Sequence, residues 1–443
     1  MLIFLPIVFC IVCFVLCWRN KSRIIPLYLL GGFGLFTYEF LWATDSLPGL
    51  TVSTVYAALR LSNDDLLYGY SLLVSSVAAT CLLAFLWVRS LSRKPPAGKP
   101  QQVDYAILSE VVSWVGLAGL CYLRVNGASS LLDDWGRNWT AVPFAGVASY
   151  LSNGLCLSSV FWVMFERRWP SAPRYMAPLL IGCLLQLTSG TAGYAIAQTF
   201  TVGMGYILRD ELPNKRFLVR SMFIVMVCLT LLGVYRYARG LGAMRAGVST
   251  DFDTLKVGNS FTEIWAFSTI ANDTRREVNT LKGGATYLPV VASLIPSFVG
   301  RSWKESSIFD QRTEIIIGRE YMGVDVLIPA TVYGEGMVNF GLMGLLIPIF
   351  LQSVMLAVCE YRRSAGVWSR VLVMFCTTST FTGLRDGYVT IVGNVITMSA
   401  IIGVSYLGMR ALGRLPRTLY PFAAVGMLAM FIIIVGLYLQ RIR

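Results

Sequence analysis

The sequence predicts an all-α polytopic integral membrane protein of about twelve transmembrane helices with one large loop on the outer side. Three observations predict it. Of the 443 residues, 56% are hydrophobic and 14% charged, with mean hydropathy +0.63, whereas a soluble domain carries about 25% charged residues. The apolar residues arrive in separate stretches of roughly 18 to 23, long enough to cross about 30 Å of hydrocarbon. The basic residues, finally, gather in short gaps between those stretches.

Six gaps hold 20 of the 37 Lys and Arg: Arg19 to Arg23, Arg89 to Lys99, Arg167 to Arg174, Arg209 to Arg220, Arg362 to Arg370 and Arg410 to Arg417. The positive-inside rule places all six in the cytoplasm. The net charge of +13 is then mostly topology, and no nucleic-acid partner is needed to explain it. Spans between the gaps fall at about 2–18, 24–44, 66–88, 104–123, 143–165, 175–189, 193–208, 217–235, 341–359, 371–384, 388–409 and 419–439. The first stretch lacks a basic n-region and a small-residue cleavage site, so it reads as a span and not as a signal peptide. The pair within 175–208 follows from parity, because two basic gaps on one side require an even number of crossings. Ser189-Gly190-Thr191-Ala192-Gly193 supplies the reversal. Both termini are expected outside.

Three segments result: N-terminal spans over 1–235, a large outer loop over 236–340 and C-terminal spans over 341–443. Within the loop, Ser260-Phe261-Thr262-Glu263 reads as a capping box and Lys282-Gly283-Gly284 as a helix stop, which predicts a helix over 261–282. Its apolar positions Phe261, Ile264, Trp265 and Ala271 recur at helical spacing. Such a helix either lies on the headgroup surface with Arg275 and Arg276 on lipid phosphates, or belongs to an active site.

Histidine is absent, which removes imidazole bases, Ser/His triads and His-based metal sites. The ten cysteines lie almost wholly in apolar stretches and read as small core packers. Cys10 and Cys13 have CxxC spacing but no second pair to complete a metal site. Chemistry must therefore run on carboxylates, arginines, lysines or tyrosines.

Three outward pieces carry such groups. Leu294-Ile295-Pro296-Ser297-Phe298 precedes Arg301, Trp303, Lys304, Arg312 and Arg319, and guanidinium groups bind phosphate oxygens bidentately. Tyr333-Gly334-Glu335-Gly336-Met337-Val338-Asn339-Phe340-Gly341-Leu342-Met343-Gly344 leads into the ninth span, its glycines permitting close backbone approach. Gly383-Leu384-Arg385-Asp386-Gly387-Tyr388 sets a charged pair between two spans, and ionisable groups at membrane depth are costly enough to be functional candidates. The bland alternatives for the last two are a helix cap and a structural ion pair.

Together these pieces resemble the bacterial O-antigen polymerase (Wzy-type) family over about 288–390, with Arg312 and Gly323 matching its Arg-x10-Gly pattern. Before 288 the likeness is one of composition. The resemblance implies a membrane glycosyltransferase of GT-C-like architecture, related to O-antigen ligases, that works without a metal or other cofactor. It implies a polyprenyl-linked substrate, undecaprenyl-pyrophosphate-linked oligosaccharide, met at the periplasmic face of the inner membrane. The lipid bilayer and a chain-length-determining co-polymerase are the other expected partners. On that reading Arg301, Arg312, Arg319, Arg385, Arg275 and Arg276 bind pyrophosphate, Glu335 or Asp386 is the base, and Tyr333, Asn339 and Tyr388 belong to the site. The competing readings are a lipid-linked oligosaccharide flippase or ion-coupled carrier, and an O-antigen ligase.

Overall fold

The computed structural model describes residues 4–19, 22–44, 61–91, 105–125, 263–277, 281–294, 330–363 and 367–393, with scattered positions at 148–185 and 395–403. Among these residues there are helices and no strand. The chain forms two compact units, one of Met1–Gly98 with Ala243–Ile396 and one of Lys99–Gly242 with Thr397–Arg443. Three helical stretches of the described residues are long and apolar enough to cross a membrane: Ile24–Leu41, Asn63–Ser90 and Thr331–Arg362. The expected spans 193–208, 217–235 and 419–439, and most of 143–165, 175–189 and 388–409, lie outside the described residues.

In the first unit α1 (Phe4–Arg19) and α2 (Ile24–Ala43) are followed by α3 (Asn63–Ser90). At 28 residues, α3 is about 42 Å long. It starts at a capping box: Ser62 Oγ accepts from Asp65 N at 3.2 Å, while Asp65 Oδ2 accepts from Ser62 N at 3.3 Å. Helix α2 runs antiparallel to α3. Ile25 lies beside Cys81, Gly32 beside Val77, and Thr37 bonds Tyr70 through their hydroxyls at 2.9 Å. Spans that follow one another across a membrane run in opposite directions, as these do.

The first turn of α2 presents backbone N–H groups with no partner in its own helix. Glu360, at the end of α8 (Leu346–Arg362), accepts from Arg23 N at 3.1 Å and Ile24 N at 2.7 Å. Arg363 Nε then meets the same carboxylate at 2.7 Å. The basic gaps at 19–23 and 362–370 are thereby joined at one end of the unit.

Helix α5 (Glu263–Arg275) departs from the expected 261–282 in both extent and setting. Every residue from Glu263 to Asn272 is buried, so this is not a helix resting on headgroups. It packs against α2, α3 and the helix α7 at Thr331–Phe340. The apolar spacing suggested one buried stripe, but the other face finds polar partners: Asn272 Nδ2 donates to Asp65 O at 3.1 Å and Ser268 O at 2.8 Å. A Cβ on Gly69 would overlap Ser268, which is how α3 and α5 come so close. The helix ends where Glu277 takes a left-handed φ of 56°. Gly283 and Gly284, at φ 56° and 93°, do make a left-handed turn. That turn docks on another helix, with Lys282 N and Gly283 N donating to Val338 O and Asn339 O at 3.1 Å. A short 3-10 turn, Ala285–Tyr287, and α6 (Leu288–Leu294) follow.

Helix α7 (Thr331–Phe340) begins ten residues before the expected ninth span, so Tyr333 to Asn339 are buried helix and not a loop. A 3-10 stretch, Gly341–Leu345, joins it to α8. Gly341 at φ 64° makes the bend. The close backbone approach expected of these glycines is present, since a Cβ on Gly336 would overlap the Gly344 carbonyl and one on Gly344 the Gly336 carbonyl. Helix α9 (Val367–Thr382) completes the unit.

In the second unit α4 (Tyr105–Val125) supplies Leu117 and Leu120 to a small core with Leu155, flanked by Cys121 and Leu185. Gly116, Gly119 and Gly154 permit the contact, each facing backbone where a Cβ would sit.

Gly344→Ala is expected to lower the thermal stability of the detergent-purified protein, by about 1–3 kcal/mol of overpacking. Gly34→Ala, where the added Cβ meets nothing within 4 Å, is expected to leave the melting temperature unchanged or raise it. Equal melting temperatures for the two variants would refute the packing at Gly336 and Gly344.

Candidate functional site

The turn after α9 is built on the end of its helix: Arg385 N and Asp386 N both donate to Thr382 O, at 3.0 and 2.7 Å. Its outward carbonyls are used. Gly383 O accepts from Val332 N at 3.1 Å and Arg385 O from Thr331 N at 3.0 Å, so the turn satisfies the first donors of α7. Thr331 sits at φ 64°, a left-handed conformation costly for a β-branched residue. Its hydroxyl accepts from Gly334 N at 3.2 Å, which offsets part of that cost. Residue 385 is therefore held by backbone on both sides.

From this turn Arg385 places Nε 3.0 Å from Glu263 Oε1 in an ion pair, with Asp386 Oδ1 3.9 Å away. The Arg385 side chain is 49% exposed, Asp386 32% and Glu263 1%. An open guanidinium is thus fixed from below by a buried carboxylate. Glu263 is the first residue of α5, and the next N–H, that of Ile264, donates to Glu39 Oε2 at 2.9 Å. Glu39 is fully buried, and its carboxyl lies within hydrogen-bonding distance of the Glu263 carboxyl.

Glu335 stands on the inner side of the same turn. Its Oε2 accepts from Tyr388 N at 2.7 Å and its Oε1 from Thr286 Oγ1 at 3.2 Å. One turn on, Asn339 Oδ1 accepts from Gly284 N at 3.0 Å and Thr286 N at 3.4 Å. Its Nδ2 donates to Glu335 O at 2.9 Å and to Thr286 Oγ1. Tyr287 and Tyr388 meet edge to face at 6.0 Å. Burial, and then the nearby charge of Glu335, push the Tyr287 hydroxyl above its ordinary range. Tyr333 is buried too, its hydroxyl bonding Thr80 at 2.9 Å and Tyr28 at 3.2 Å.

The sequence-expected residues accordingly separate into three groups. Arg385 and Asp386 form an open pair. Glu335, Asn339, Tyr333 and Tyr388 are buried behind it, Glu335 at 1% exposure, so of the two expected bases only Asp386 meets solvent. Arg275 and Arg276 lie at the far end of α5, where both reach Asp65, at 3.6 and 3.0 Å, and Arg275 stacks over the Tyr68 ring at 4.7 Å. Twelve residues of helix separate that end from Glu263, about 18 Å. One pyrophosphate cannot touch Arg385 and this pair together. Arg301, Arg312 and Arg319, with Trp303 and Lys304, lie outside the described residues.

Sequence reasoning missed Glu39. The signal was available: it is the single charged residue between Ile24 and Ala43, and a carboxyl in an apolar span is a functional candidate on that ground alone. Glu263 was read as half of a capping box whose other residue, Ser260, lies outside the described residues, and its ion pair with Arg385 was not foreseen.

No family model, curated protein or solved structure matches this chain. What the site can do therefore rests on its own chemistry. A guanidinium fixed by one edge presents its other edge to oxygen anions, and a half-buried carboxylate beside it can accept a proton.

Asn339→Ala is expected to destabilise the protein by about 1–3 kcal/mol, because the buried N–H groups of Gly284 and Thr286 lose their acceptor. Thermal unfolding in detergent measures this, and an unchanged melting temperature would show that the Gly284 turn does not depend on Asn339.

Proposed function

We propose that the chain polymerises undecaprenyl-pyrophosphate-linked oligosaccharide repeat units at the periplasmic face of the bacterial inner membrane, as a twelve-span glycosyltransferase of GT-C-like architecture. The observation that carries the reading is Arg385, half-exposed and held by a buried carboxylate, with Asp386 at its side. On this reading the bilayer brings both substrates to the unit laterally, and a chain-length-determining co-polymerase is a further partner.

An acceptor hydroxyl oxygen attacks the anomeric carbon of the donor glycan. The bond from that carbon to the pyrophosphate oxygen breaks, and its electron pair leaves with undecaprenyl pyrophosphate. Arg385 neutralises the charge that builds on the departing oxygens, and Asp386 takes the hydroxyl proton. Glu263 keeps Arg385 in place, while Glu335 and Asn339 hold the wall behind the turn. The orientation is supported by the shared end of the basic gaps at Glu360, since arginines grouped at one end mark the cytoplasmic side.

A second reading is favoured by one observation: Glu39 and Glu263, buried and adjacent, are groups that an ion-coupled carrier or flippase would use. The surface glycan of a deletion strain separates the functions. Single-repeat caps without a ladder identify a polymerase, a bare core with accumulated lipid-linked polymer a ligase, and the absence of externally accessible repeat units a flippase.

Arg385→Lys is expected to lower polymer yield about a hundredfold, the loss of one transition-state contact of about 3 kcal/mol, because lysine offers a point charge in place of a fork. Arg89→Lys, at an exposed position in a basic gap, is expected to be silent. Polymer of full length and normal amount from Arg385→Lys at normal protein abundance would end the assignment.

A further inference from the structure

Glu39 and Glu263 place two carboxyl groups against each other where water does not reach, at 0% and 1% exposure. Glu39 Oε2 is occupied by the Ile264 N–H at 2.9 Å. Glu39 Oε1 is buried and receives no hydrogen bond from any donor among the described residues. Two carboxylate oxygens turned toward each other without a hydrogen between them repel strongly in a medium of low dielectric, and such a pair cannot ionise twice. Among the described residues, the charges that meet this pair do not cancel two carboxylates. Arg385 supplies one positive charge through Nε, 3.0 Å from Glu263, and it is shared with Asp386 at 3.9 Å. Asp65, the other carboxylate touching α5, lies at the far end of that helix and is taken by Arg275 and Arg276. On α3 the Tyr70 hydroxyl bonds Thr37, and on α7 the Glu335 carboxylate is occupied by Tyr388 N and Thr286 Oγ1 while the Tyr333 hydroxyl bonds Thr80 and Tyr28.

We propose that Glu39 and Glu263 form a proton-binding site, holding one hydrogen between Glu39 Oε1 and the Glu263 carboxyl, with Arg385 as the counter-cation of the negative charge that remains. The ligand is a proton from solvent, and it enters and leaves beside Arg385, the one member of the group that is open. Filled, these three described groups sum to zero: two carboxyls, one proton and one guanidinium. Emptied at high pH, it leaves two buried negative charges against one positive charge, so its occupancy is lost as pH rises. The site stands whether or not Arg385 also carries a substrate phosphate, since nothing in it requires a bound anion.

Infrared spectroscopy reads the hydrogen directly. The full chain in lipid nanodiscs at neutral pH is expected to show a C=O stretch of a protonated carboxyl that shifts in D2O and disappears on titration to alkaline pH. Glu39→Gln and Glu263→Gln should each abolish the band, because no second carboxyl remains to share the hydrogen. Glu335→Gln should keep it. Glu39→Asp, which retains a carboxyl and guards against loss of folding in the amide variants, should shift the band without removing it. Absence of any such band from the wild-type protein at neutral pH overturns the proposal, as does a band that persists in both amide variants or is unmoved by Glu39→Asp.

Discussion

Inside a packed helical bundle a helix start is a liability, because its first N–H groups have no partner in the helix and no water to turn to. The first unit meets that constraint the same way three times, with a buried glutamate borrowed from another helix. Glu360 accepts from Ile24 at the start of α2, Glu39 from Ile264 at the start of α5, and Glu335 from Tyr388 where the helix after the turn begins. At α7 the acceptors are instead the carbonyls of Gly383 and Arg385. Each contact joins segments distant in the chain, and each combines a hydrogen bond with the attraction of a carboxylate for the positive end of a helix. These crossed caps place α5 and the Arg385 turn relative to α2, so the geometry of the site follows from them.

That logic explains which parts could be read from the sequence. Ile24–Ala43 and Asn63–Ser90 were legible because an apolar run of span length between basic gaps has one physical interpretation. Helix α5 was legible as a helix but not as a buried one. Ser268, Thr269 and Asn272 look like a solvent face until Asp65 and Gly69 of another helix come to meet them, and that meeting is invisible to local periodicity. The stop at Glu277 was hidden for a related reason: glycines at 283 and 284 carry the usual signature of a helix end, yet their left-handed turn serves the far end of α7. Of the site, the Arg385 turn was legible from a charged pair with no room for a loop. The partners that fix it were not, since Glu39 lies more than two hundred residues before Glu263, and Glu263 more than one hundred before Arg385.

The same caps also rank the arginines. Arg275 and Arg276, 49% and 56% exposed, share the single carboxylate of Asp65. Exposed pairs of this kind contribute little and are easily rearranged. Arg363 is spent on Glu360, whose task is to close α2. Arg385 alone among these combines a half-exposed guanidinium with a fully buried partner, since Glu263 begins its helix and rests against Glu39. A cation held this way has already lost its conformational freedom before any anion arrives, and preorganised charge is what stabilises a developing negative charge most effectively. The rigidity has a cost, namely two carboxyls buried side by side, and a fold selected only for stability would have replaced one of them with an apolar group. Placed at the base of an open guanidinium, the pair offsets that cost only through what it holds in place, which on the proposed reading is the cation that meets the departing pyrophosphate.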